Sequence, residues 1–117
     1  VRINEITFDD ARPIDGYGPG FFRVGGELHD GPLLVAGGAP RPWAGLEDDA
    51  ALLDLAGQVD VLFVGMGGDV AHIARSLRGT LEGAGLGVEV MSSPAACRTY
   101  NVLLSEGRRV ALAALPV

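Results

Sequence analysis

The stretch DVLFVGMGG, residues 60–68, decides the fold. Val61, Leu62, Phe63 and Val64 form a short continuous apolar run, the kind found in a strand buried on both faces of a parallel sheet. Gly65, Gly67 and Gly68 mark a turn directly after it. Downstream the period changes: Ile73, Leu77 and Leu81 recur at every fourth position, and Gly85 closes a helix expected over 70–83. Leu86 to Met91 reads as the next strand, Pro94 to Glu106 as a third helix, and Arg109 to Leu115 as a closing strand.

Upstream, Glu47, Asp48 and Asp49 suit the first turn of a helix, where the dipole favours acids. Leu52, Leu53 and Ala56 supply its apolar stripe, and Gly57 fits the position just past its end. The N-terminal third reads as β: a loose strand at Ile3, Ile6 and Phe8, a turn cluster over 15–20, then strands over 21–28 and 33–36. Gly25-Gly26 suggests a tight reversal or a bulge. A β-rich third followed by two βα units and a closing strand is an α/β layered fold with a mixed sheet, its crossovers right-handed. Residues 1–117 suffice for one domain with a single core.

A net charge of −6 argues against nucleic acid, whose binding rests on neutralising phosphates. All nine basic residues are arginine, which removes lysine chemistry and resembles the bias of a GC-rich bacterial genome. No apolar run approaches the ~20 residues of a membrane helix, so direct membrane insertion is not expected. No signal peptide opens the chain, although Val1 in place of methionine leaves a trimmed leader open. A single cysteine fits a reducing, cytoplasmic compartment. His29 and His72 lie far apart with no Cys or acidic cluster beside either, so no metal site is expected.

Cys97 invites a reading as a nucleophile, since it stands near a helix start beside Arg98. It also shares an apolar stripe with Tyr100 and Leu104 and has no base nearby, so packing is the expected role. The glycine turn is not a dinucleotide fingerprint, because Val70 stands where a third glycine would fall. Asp69 would cap a helix and repel phosphate, and Ser93 with Pro94 would open the third helix. If their strands are parallel, the turns over 65–69 and 92–99 emerge at one sheet edge. There two helix N-termini could hold a small anion or an acidic segment. The candidate pocket is Gly65, Gly67, Gly68 and Ser93, with Arg98, Thr99 and Asn101 at its rim. Asn101 is equally suited to bonding a neighbouring backbone. Glu106, at a helix end, is expected to pair with Arg98, Arg108 or Arg109.

Val88-Glu89-Val90, Pro94, Ala96-Cys97, Thr99-Tyr100-Asn101 and Glu106-Gly107-Arg108 resemble the domain-of-unknown-function family that includes the mitochondrial complex I assembly factor three. Ile14 to Tyr17, Gly20-Phe21, Trp43 and Gly65-Met66-Gly67 match in order, so the resemblance runs along the chain. Met66 and Ser93 stand where many relatives carry threonine; Ser93 keeps a hydroxyl, Met66 does not. The resemblance implies three layers around a mixed five-stranded sheet, no established enzymatic activity and no cofactor. It also implies action by binding protein partners during assembly of a respiratory complex.

The expected function is therefore a non-enzymatic binding domain, an assembly or accessory factor for a membrane complex. The alternative is a small-ligand or anion-binding protein or an enzyme using 65–69 and 92–99. A protein partner is expected, and a homo-oligomer is allowed. Adjacent phenylalanines in a strand point to opposite faces, so Phe21, Phe22 and Trp43 are the candidate anchors of a partner surface.

Overall fold

Two apolar side-chain sets alternate along each central strand, and this alternation builds three layers. In the computed structural model, which describes residues 12–37, 39–69 and 71–117, the five-stranded sheet runs in the order β5-β4-β8-β6-β7. Its strands are β4 (Leu33–Val35), β5 (Arg41–Pro42), β6 (Val61–Met66), β7 (Gly87–Met91) and β8 (Val110–Leu115). β6 pairs parallel with both β7 and β8, whereas β4 pairs antiparallel with β8 and β5, so the sheet is mixed as expected.

On one face Leu33, Val35, Phe63, Val110, Leu112 and Ala114 join one apolar cluster. On the other, Leu34, Leu62, Val64, Val88, Ala111 and Ala113 join a second. Both faces being dry explains the unbroken run at Val61–Val64. The first face is covered by α3 (Ser93–Ser105), through Ala96, Cys97 and Tyr100. The second is covered by α1 (Asp49–Leu53) through Leu52, by α2 (Arg75–Gly83) through Leu81, and by Trp43.

The N-terminal strands do not enlarge this sheet. β1 (Gly16–Gly18), β2 (Phe21–Val24) and β3 (Glu27–Asp30) form a separate antiparallel sheet, placing Phe22 and Val24 in the α3-side cluster. Gly25 and Gly26 take φ of 61° and 83°, so the expected strand over 21–28 is two strands folded back at a two-residue turn. The strand expected at Ile3, Ile6 and Phe8 lies outside the described residues.

α3 lands on β6 because small residues clear its path. Gly65 faces α3 between Met91 of β7 and Ala114 of β8. A Cβ placed there would lie 2.7 Å from Ser93 Oγ and 2.8 Å from Ser93 Cα. Backbone cannot yield as a flexible side chain can, so the contact demands glycine. Gly65→Ala is expected to destabilise the fold by about 1–3 kcal/mol through overpacking. Gly79→Ala, in α2 with open space around it, should stabilise by about 0.5–1 kcal/mol. Urea unfolding of the two variants tests the contrast, and equal midpoints would contradict it.

Candidate functional site

The turns after β6 and β7 do converge at the carboxyl end of the parallel strands, as their sequence positions suggest. They close on each other. Ser93 N donates to Gly67 O at 2.8 Å, and Gly67 N donates back to Ser93 Oγ at 2.8 Å. The same hydroxyl donates to Leu115 O at the end of β8. Ser93 is 1% exposed, so its hydroxyl lies inside the protein and bridges β6 and β8 from the start of α3. Gly67 adopts a φ of 83°, and a Cβ placed there would meet Pro116 O at 3.3 Å.

Two sequence expectations change here. α2 starts at Arg75, not near residue 70, and its N-cap is Ala74, whose side chain makes no capping bond. Ala74 is extended (φ −59°, ψ 138°), which interrupts any helix running from the glycine turn, so Asp69 caps nothing there. The N-cap of α3 is Ser92 and not Ser93; the Ser92 side chain accepts from Ala95 N at 3.4 Å. That shift by one residue frees the Ser93 hydroxyl for the sheet.

The rim residues also turn to the protein. Asn101 is bidentate to backbone: Ile14 N donates to its Oδ1 and its Nδ2 donates to Ile14 O, each at 2.8 Å. Tyr100 Oη donates to Arg12 O at 2.9 Å. Together they strap residues 12–14 across α3, a role the sequence signalled only through the polar end of an otherwise apolar stripe. Thr99 Oγ1 donates to Ala95 O at 2.9 Å, within its own helix. Arg98 is exposed. Arg109 pairs with Asp60 at 3.0 Å rather than with Glu106. Both of those side chains are largely solvated, so the pair adds little stability.

Of the three aromatic candidates, Phe22 is fully buried and Trp43 is 3% exposed. Trp43 sits in the α1/α2-side cluster, with Nε1 donating to Asp48 O. Neither offers a surface anchor. Phe21 points away from Phe22, with its ring over Gly18, and is partly exposed. Leu28 is half exposed on that outer face, directly opposite Arg23.

Residues 14–115 match the model of a family described as protein of unknown function (DUF498/DUF598). The chain belongs to this family. Among its relatives, an uncharacterised protein of Rhodobacter capsulatus is 56% identical over 113 residues, 97% of this chain and 91% of the relative. The NADH dehydrogenase (ubiquinone) 1 alpha subcomplex assembly factor 3 of Danio rerio is 32% identical over 99% of this chain and 71% of its own length. A crystal structure described as an outer membrane protein from Bartonella henselae superposes with a TM-score of 0.83. It shares 32% identity and covers 90% of this chain and 94% of that one. The DUF498/DUF598 assignment accords with the resemblance read from the motifs around Val88 to Arg108.

Cys97 is packing in this DUF498/DUF598 chain. It is 3% exposed among Ala96, Tyr100 and Ile14. Burial pushes its thiol up, from its ordinary 9.0 to about 11, against a smaller opposing pull from the Arg98 charge. Burial raises the Tyr100 phenol too. The folded state therefore holds the thiol proton more tightly than the unfolded one. That contribution is complete below pH 9.0 and is lost as the pH rises toward about 11. Over this window the native protein should lose on the order of 2 kcal/mol more than a Cys97→Ala variant does. Denaturant titrations of both proteins across the window check it; parallel curves would mean that the thiol titrates normally.

Proposed function

We propose that this chain is a non-enzymatic protein-binding domain, an assembly or accessory factor that serves a membrane respiratory complex from the cytoplasm. The observation that carries the reading is the closure of the sheet edge by Ser93. Open α/β sheets gather ligands at the carboxyl ends of their strands. Here the Gly67 amide and the Ser93 hydroxyl satisfy each other, and Asn101 is taken up by Ile14. The Danio rerio relative named NADH dehydrogenase (ubiquinone) 1 alpha subcomplex assembly factor 3, which matches along 99% of this chain, supports the same reading. No helix among the described residues is long and apolar enough to cross a membrane, which suits action on a complex from outside the bilayer.

The partner surface is the outer face of the N-terminal three-stranded sheet. Phe21 and Leu28 lie on it, with Arg23 and Asp30 between and beside them. An apolar pair set among charges on a firm sheet face suits a protein partner better than it suits open water. The test is to resolve native membranes of a cell carrying the tagged protein by size, then to ask where the protein migrates. Co-migration with respiratory-complex subassemblies, lost on Leu28→Asp in a variant that keeps its fold, is the expected result. Migration as free protein in every fraction, or turnover of a small substrate by the purified chain, would overturn it.

A further inference from the structure

Among the described residues β7 is the outermost strand on its side of the central sheet, and its ladder faces are fixed by its hydrogen bonds. Gly87 N donates inward to Asp60 O at 2.9 Å, so Gly87, Glu89 and Met91 direct their backbone groups toward β6. Val88 and Val90 then direct theirs to the opposite edge, which no other described strand pairs. Such an edge, in a strand reading GVEVM, is a template for pairing with another chain.

The edge is not bare. Arg78, from α2, reaches across and donates from its guanidinium to Val88 O at 3.0 Å. The same nitrogen lies 3.3 Å from Glu82 Oε2, one helical turn on, which steadies the arginine in that pose. Glu89 adds a second obstacle. In antiparallel pairing of two β7 strands, using all the outward groups sets Val88 opposite Val90 of the second copy and Glu89 opposite its own equivalent. The two glutamates then meet at a non-hydrogen-bonded pair, where side chains come closest and like charges repel.

We propose that Arg78 and Glu89 form a guard that keeps β7 from pairing with β7 of a second copy of this chain. Arg78 occupies the carbonyl that a second strand would need, and Glu89 penalises the one register in which every outward group is matched. The guard sits at the far edge of the central sheet from β4 and β5, so it leaves the outer face of β1–β3 free. It stands whether or not the partner reading above does, because its test uses the purified chain alone.

Sedimentation of the purified protein from micromolar to millimolar concentration should show a 12.1 kDa monomer, and Arg78→Ala/Glu89→Thr should shift to a dimer as concentration rises. In the dimer the Val88 and Val90 amides should gain protection from hydrogen exchange. A second pair of variants does not depend on how well that double variant folds. Under mild oxidation Glu89→Cys in the Arg78→Ala background should cross-link to its own copy about tenfold more than Glu89→Cys alone, a factor of the size one hydrogen bond to a charged group supplies. A monomer in the unguarded variant at every concentration, with equal cross-linking in both cysteine variants, would overturn the proposal. So would a native dimer already protected at Val90.

Discussion

Ser93 places one buried hydroxyl between the ends of two parallel strands, and the packing of the α3 side follows from that position. The hydroxyl accepts from Gly67 after β6 and donates to Leu115 at the end of β8, while the Ser93 amide returns a bond to Gly67. For the serine to sit so deep, α3 must begin directly on β6. Gly65 allows the contact, with Ala114 beside it and Ala96 on the helix keeping the remaining spacing small. Removing such a hydroxyl would leave a buried donor and a buried acceptor unmatched, a cost of about 1–3 kcal/mol for each group left bare. A marginally stable domain of this size has little margin for that loss.

This closure also gives partners to groups that the topology brings to the sheet edge. Helix N-termini attract anions through amides that lack a partner. At this edge the chain supplies the partners itself: Ser92 caps Ala95, Ser93 and Gly67 bond each other, and Asn101 holds Ile14. Ser93, Tyr100 and Asn101 thus become fasteners. They join helix to sheet and N-terminal strap to helix.

The central layer was legible because its signals are local. A four-residue apolar run and a proline just inside a helix start mark β6 and α3, and the glycine pair, open to a reversal or a bulge, makes the reversal between β2 and β3. Three features were not legible. Ile73, Leu77 and Leu81 keep helical spacing, yet Ile73 reaches the core from non-helical chain ahead of Arg75; an apolar residue can fill its place in the core from either conformation. Strand period says that Phe21 and Phe22 oppose each other but not which sheet they join, since that depends on pairing between distant residues. The role of Ser93 depends on a one-residue shift of the helix cap to Ser92, within the ordinary uncertainty of a boundary read from sequence. That shift separates a surface cap from a buried bridge, and no local signal in the sequence marks which of two adjacent serines takes which place.

The most direct test of this account is hydrogen exchange of the Gly67 amide, followed residue by residue in the native protein. A glycine amide in a strand-to-helix turn would ordinarily exchange by local opening. Bonded to a buried Ser93 hydroxyl, it should exchange only when the whole domain unfolds, with the same opening free energy as the central amides of β6 and β8. Exchange of Gly67 orders of magnitude faster than those amides would contradict the account, for it would show the edge open to water.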